Sequence, residues 1–182
     1  ADVAGFHLPL GKLGRVLAPS MLGLLNPDRD QLYFLERRTL GLISQRLNAC
    51  RDFESLVTDR HVFVNRQPGS GTRLIFDELL GAAGISCDDV RGYENHEHTH
   101  SAVAALVACG EADVGFGTED AANGMDLHFE PSVDEHVYVA VRRDLADEIN
   151  TLIRTFCSEI PKATDLCSKA PTLEAIRHLH DA

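Results

Sequence analysis

The stretch HVFVNRQPGSGTRLIFDELL, His61–Leu80, decides the fold. Val62 and Val64 alternate with His61, Phe63 and Asn65, the period of a short β-strand. Gln67-Pro68-Gly69-Ser70-Gly71 interrupts that period with turn residues. From Thr72 onward Leu74, Ile75, Leu79 and Leu80 recur at helical spacing. The order is strand, glycine-rich turn, helix. The first N–H groups of a helix have no intrahelical acceptor, and the macrodipole makes that end partly positive. Gly69 and Gly71 let a ligand approach the backbone, Ser70 and Thr72 add hydroxyls, and Arg66 and Arg73 bracket the turn. These groups suit a small tetrahedral anion. An ordinary strand-to-helix turn capped by Ser or Thr explains the hydroxyls but not the arginines. The G-x-x-x-x-G-K-[ST] spacing of a phosphate-binding P-loop is absent.

Charge placement agrees with that location. The chain carries a net charge of −11, which argues against nucleic-acid binding by this chain itself. Between Arg37 and Arg73, however, seven arginines face three acids, whereas Gly92–Val141 holds ten acids and neither Lys nor Arg. An anion site is electrostatically plausible only in the first of these segments; the second reads as a solvated acidic surface.

The 182 residues, 44% of them apolar, fit one domain or two small lobes. No apolar run approaches membrane-spanning length, and no membrane partner is expected. The five cysteines, Cys50, Cys87, Cys109, Cys157 and Cys167, form no C-x-x-C pair. That favours reduced thiols and a cytoplasmic setting, with a periplasmic one as the alternative.

Along the chain, Ala1–Leu8 (ADVAGFHL) reads as a strand and parallels Ala112–Gly117 (ADVGFG), which follows a helix. The first copy lacks that helix, so the chain is expected to begin in mid-domain, without an upstream strand and helix. Leu10–Leu25 reads as a helix interrupted near Pro19. Gln31–Glu36 and Leu40–Ser44 read as two strands around Arg37-Arg38, and Asp52–Val57 as a short helix. Val90–Tyr93 reads as a short strand, Ala102–Cys109 as a helix capped by Thr99 or Ser101, and Val114–Phe116 as a strand. Asp120–Asn123 reads as a short helix, Leu127–Phe129 and Val137–Val141 as strands, and Asp144–Phe156 and Leu173–His180 as helices. The alternation indicates an α/β fold with largely parallel pairing. Ligands in such sheets sit beyond the strand C-termini, where Ser70–Thr72 would lie.

Other constellations are weaker. His96, His98 and His100 would share one face only if all three lay on a strand, a feasible transition-metal arrangement; on a loop entering a helix they would not. No metal and no cofactor is expected. His7 faces either a cleft or the core. Glu97 is read as an arginine partner, and Cys109 as a buried small hydrophobe. Ser70 lacks the G-x-S-x-G context of a hydrolase nucleophile, and no enzymatic activity is expected.

Phe63–Arg73 (FVNRQPGSGTR), with Gly92-Tyr93, Glu97, Thr99-His100 and Gly110–Gly115 (GEADVG), carries a family resemblance. It resembles the type II periplasmic-binding-protein-like domain of molybdate-type helix-turn-helix regulators and of some molybdopterin-biosynthesis proteins. The loop is also similar to that of tungstate-binding periplasmic proteins. The N-R-x-x-G-S-G-T-R string is fairly specific; the Gly-Glu-Ala-Asp-Val-Gly string recurs in many binding-protein folds. The resemblance extends from Ala4-Gly5 through Val141. It implies two α/β lobes, 1–62 with 131–182 and 63–130, joined at a hinge around a ligand cleft.

What the resemblance implies is a ligand sensor for molybdate, tungstate or a related oxyanion, with any DNA contact made by a fused domain outside this chain. A transport receptor, an organic-anion binder and a histidine-cluster metal protein are the alternatives, and a homodimer is left open. Carried over by position, Arg66, Ser70, Gly71, Thr72 and Arg73 would hold the anion, with Arg37, Arg38, Glu97, Thr99 and His100 as further ligand-site residues. Arg37-Arg38 match an arginine pair that precedes Gln-Gly-Leu in relatives; here Thr39-Leu40-Gly41-Leu42 follows, without the glutamine. A Gly-Asn-Pro turn of relatives is replaced by Arg46-Leu47-Asn48-Ala49.

Overall fold

A computed structural model describes residues 2–145 and 151. Among these residues six strands and five α-helices follow one another: β1 (Val3–Pro9), α1 (Gly11–Leu22), β2 (Asp30–Ser44), α2 (Phe53–Thr58), β3 (Phe63–Arg66), α3 (Gly71–Ala82), β4 (His96–Glu97), α4 (His100–Ala108), β5 (Val114–Thr118), α5 (Glu119–Asn123) and β6 (His128–Arg142). The helix expected over Asp144–Phe156 falls almost wholly outside the described residues, and that over Leu173–His180 falls entirely outside them.

The chain divides into two compact units. The first comprises residues up to Arg38 and from Asp134 on; the second is Thr39–Val133. The divisions expected after residues 62 and 130 therefore fall at 38 and 133. The N-terminal shift has a physical cause: the second half of β2 pairs with β5, Leu40 opposite Thr118 through Ser44 opposite Val114, and this carries 39–62 into the second unit.

In the first unit β1 runs antiparallel to β6, from Val3 opposite Val141 to Pro9 opposite Glu135. Its core gathers Leu8, Ala18, Leu22, Leu32, Tyr138 and Ala140. Helix α1 continues through Pro19 rather than breaking. Pro19 forfeits one hydrogen bond in the last turn, and that turn still closes through Gly23 N–H to the Pro19 carbonyl, 3.0 Å.

In the second unit β3 lies between β4 and β5 and is parallel to both. The pairing is thus mixed, since β1–β6 and β2–β5 are antiparallel. Phe63 of β3 stacks on Phe76 of α3 with ring centroids 4.5 Å apart, and Phe116 of β5 closes on Phe76 at 5.3 Å. On another side Ile43, Val64, Val103, Ala104 and Val107 are buried together.

Two further expectations are corrected. Strand β2 is one 15-residue strand, not two, and so is β6. Each has a polar middle, Glu36-Arg37-Arg38 in β2 and Glu130–His136 in β6, and an apolar pattern read alone takes such a middle for a break. Val90–Tyr93 is a turn; the strand forms later, at His96–Glu97.

That turn depends on Gly92, whose φ is +87° and whose added Cβ would stand 2.5 Å from the Phe63 carbonyl oxygen. Gly92→Ala combines left-handed strain of about 1–2 kcal/mol with a backbone clash. Urea unfolding should show it destabilised by more than that strain alone.

Candidate functional site

The loop between β3 and α3 is built by local chemistry. Ser70 N–H donates to the Gln67 carbonyl (3.2 Å) around Pro68 and Gly69, whose φ is +81°. Proline then glycine is what a type II turn requires. Ser70 is the N-cap of α3, its hydroxyl accepting from Arg73 N–H at 3.2 Å. The Gly71 and Thr72 N–H groups, at the first two helical positions, have no acceptor within the helix.

A second helix start lies beside it. Asn65 pairs with His96 and Arg66 with Glu97, so β3 and β4 end side by side. Thr99 caps α4, accepting from Ala102 N–H at 3.0 Å. Gln67 N–H donates to the Glu97 carbonyl (3.1 Å), and Arg66 Nη2 donates to the His98 carbonyl (2.9 Å). The second bond ties the two loops together at half-buried Arg66. His100, the first residue of α4, stands over Gly117 of the neighbouring β5. The five-residue α5 that follows β5 opens with Glu119 and Asp120, which answer its own dipole.

The structure therefore sets the loop from Arg66 to Thr72 beside the loop from Glu97 to His100, with Glu97 contributing its backbone and Thr72 buried. Arg73 is placed differently. Its guanidinium lies 4.4 Å over the Tyr93 ring, and its Nη2 is 3.7 Å from Glu94. The side chain is nine-tenths buried, and Nη1 has no hydrogen-bond partner. Burial opposes its charge, but Tyr93, Glu94 and Asp77 outweigh that and raise its pKa. Arg73 fastens α3 to the turn before β4.

Arg37 and Arg38 belong to the first unit and are paired there, Arg37 with Asp134 and Arg38 with Glu135, each at 2.6 Å. Glu135 is fully buried and also lies 3.4 Å from His7 Nδ1. Burial pushes its carboxyl up, but His7 and Arg38 prevail and hold it below the ordinary glutamate value. With the folded value below the unfolded one, ionised Glu135 stabilises the fold above the ordinary glutamate range. That contribution is lost as pH falls through the folded value. Glu135→Gln should therefore lose more stability near neutral pH than in acid, as urea midpoints measured down to about pH 3 would show.

Sequence reasoning missed Asn65, Tyr93 and Glu135 as supports. Asn65 is buried; its Oδ1 accepts from Arg66 N–H (2.8 Å) and its Nδ2 donates to the Tyr93 carbonyl (3.4 Å). A polar residue in the buried strand just before the turn was the available signal. Cys109 is exposed, not buried, because α4 ends there and its thiol turns back to the Leu106 carbonyl at 3.4 Å. Of the three histidines only His96 is on a strand; His98 is in the loop and His100 in the helix. Among the described residues no group of three or more His, Cys, Asp or Glu could hold a metal, and no helix is long and apolar enough to cross a membrane.

The sequence profile of the PBP superfamily domain matches residues 1–158. The chain belongs to the PBP superfamily. It is 32% identical over 142 residues to the uncharacterized protein YvgK of Bacillus subtilis (strain 168), covering 77% of this chain and 46% of that protein. The chain thus spans less than half the length of this relative. A Clostridium perfringens ABC-transporter substrate-binding protein solved with bound phosphate superposes with a TM-score of 0.60 at 13% identity, over 99% of this chain and 79% of that one. The binding-protein component of an ABC phosphonate transporter from Pseudomonas aeruginosa gives 0.55 at 15% identity, over 98% and 67%. At such identities the likeness is one of fold: mixed α/β, similar to type II periplasmic binding proteins. PBP superfamily domains are a ligand-binding type, and small anions are the ligands of the two neighbours named.

Proposed function

We propose that this domain binds a small tetrahedral oxyanion, molybdate or tungstate, at the paired loops of its second unit. The observation that carries the reading is the pair of capped helix starts, α3 and α4, at the ends of adjacent parallel strands, with Arg66 bridging them. Four N–H groups, of Gly71, Thr72, His100 and Ser101, lack intrahelical acceptors there. Hydroxyls of Ser70 and Thr99 stand close by in the chain, that of Thr72 is buried within the fold, and one guanidinium supplies full charge. An anion needs several converging donors and few acceptors, and this arrangement meets that need. The phosphate and phosphonate proteins of like fold make an oxyanion a natural ligand class, and the N-R-x-x-G-S-G-T-R string favours molybdate or tungstate within it.

The same string supports a sensor role in a cytoplasmic transcriptional regulator, with DNA contacted by a fused domain. Calorimetric titration with molybdate, tungstate, sulfate and phosphate tests the ligand: tungstate or molybdate should bind tightest. Absence of binding by all four would refute the reading. The gene's upstream sequence tests the role, because a helix-turn-helix supports the regulator and a secretory signal supports a transport receptor instead.

A further inference from the structure

One cavity in the second unit has no part in the loop site. It holds about 390 Å³ and is lined by α5, by the start of β6 and by Arg46. Its β6 wall is packed hard on β2. A Cβ at Gly41 would run into the Glu130 carbonyl and stand 2.9 Å from the Phe129 ring. Glycine at that position lets β6 lie flush on the sheet and fixes the wall that carries Phe129.

The cavity has ends of opposite charge. At one end Arg46 Nε donates to the Asp126 carbonyl (3.0 Å) and to the Asp126 carboxylate (3.1 Å), and Nη2 donates to the same carboxylate (2.8 Å). Asp126 sits in a left-handed turn, φ +55°, and both its acceptors meet one edge of the guanidinium. That grip uses two of the five guanidinium N–H groups and orients the other three for a further acceptor. Arg46 also begins the segment that replaces the Gly-Asn-Pro turn of the resembled family, so this cationic end is no part of that pattern. At the other end Glu119 opens α5, and Asn123 lies one turn on along the same face. Among the described residues neither side chain has a hydrogen-bond or ion-pair partner. Five helical residues put about 7 Å between the two ends of α5. Leu127, Phe129 and Pro131 give the same cavity apolar surface. A few placed polar groups around apolar walls, at this volume, are the makings of a small-molecule site.

We propose that this cavity binds an amphoteric organic molecule, with its carboxylate on Arg46, its ammonium group on Glu119 and its apolar middle on Leu127, Phe129 and Pro131. Asp126 is the positioning residue for Arg46. A simple anion meets Glu119 unpaired and a simple cation meets Arg46, so each alone forgoes one end. The site shares no residue with the loops at the starts of α3 and α4 and does not depend on the oxyanion reading.

Calorimetric titration of the full chain with 6-aminohexanoate, hexanoate and hexylamine tests it. The three probes share a six-carbon chain and differ in which charged ends they carry. Both ends of the cavity are open to water, so each matched charge should add about fivefold in affinity. 6-Aminohexanoate should therefore bind tightest. Arg46→Gln should bring 6-aminohexanoate down to the affinity of hexylamine, and Glu119→Gln should bring it down to that of hexanoate. Glu119 is exposed at the head of a short helix, so its variant tests the site even if Arg46→Gln unfolds the Asp126 turn. Backbone amide resonances of Asn123 and His128 should shift on titration. Absence of 6-aminohexanoate binding overturns the proposal, as does equal binding of the three probes or binding indifferent to Glu119→Gln. Displacement of 6-aminohexanoate by tungstate, or its loss in Arg66→Ala, places it at the loops and overturns this site. Binding that survives Arg66→Ala while tungstate fails to bind the parent supports this site and refutes the loop reading alone.

Discussion

Arg66→Ala is expected to weaken oxyanion binding roughly 10- to 150-fold, the equivalent of about 1.5–3 kcal/mol for a lost hydrogen bond to a charged group. The effect has two sources. The guanidinium supplies the full positive charge at the paired helix starts, and its Nη2 bond to the His98 carbonyl holds the β4–α4 loop against the β3–α3 loop. Removing it deletes a ligand and loosens the geometry of the rest. Arg66→Lys separates these contributions: charge survives, but the fork that can hold a carbonyl and an anion together does not. Its loss should be intermediate. Thr72→Val keeps shape and removes only the hydroxyl, so its loss should be smaller than that of Arg66→Ala. Isothermal titration with tungstate measures all three. An Arg66→Ala protein that folds and binds as tightly as the parent would remove the guanidinium from the site. Rising chloride should weaken the parent more than the alanine variant, because the charged contact is the screened one.

How far this site was legible depended on how local its causes are. The β3–turn–α3 unit could be read because strand period, Pro-Gly turn chemistry and an N-cap serine lie within twenty consecutive residues. The cap of α4 was legible for the same reason to within two residues, Thr99 or Ser101, and Thr99 fills it. The partnership between the two loops was not, since it arises from β3 lying parallel to β4 in a particular register, about thirty residues away in sequence. Arg73 shows the limit most clearly. Its spacing from the turn suggested an anion ligand, yet Tyr93 and Glu94, brought close by the turn at Gly92, receive its guanidinium instead. The continuity of β2 and β6 was hidden by their polar middles, whose arginines and acids are explained only by each other, Arg37 with Asp134 and Arg38 with Glu135. Pairings across 97 residues leave no periodic trace.

Phe76→Ala should be the most destabilising single change considered, by about 3–5 kcal/mol. Phe76 is fully buried, stacks on Phe63 with rings 11° from parallel, and is tilted against Phe53 at 5.8 Å and Phe116 at 5.3 Å. Three elements besides its own, α2, β3 and β5, contribute those rings, so the cavity cannot close by shifting one side chain. Phe76→Leu keeps most of the volume and should cost much less. Urea unfolding gives both values from shifts in midpoint at constant slope. The placement of this ring also bears on binding. Phe63 leads into the β3–α3 loop along the strand and Phe76 leads out of it along the helix, so their stack sets where the strand stops and the helix starts. If the loop is the anion site, tungstate should raise the unfolding midpoint of the parent in proportion to its occupancy. Phe76→Leu should retain that increment while starting from a lower baseline. A leucine variant that folds but gains nothing from tungstate would show that the stack fixes the loop geometry itself rather than merely the stability of the unit around it.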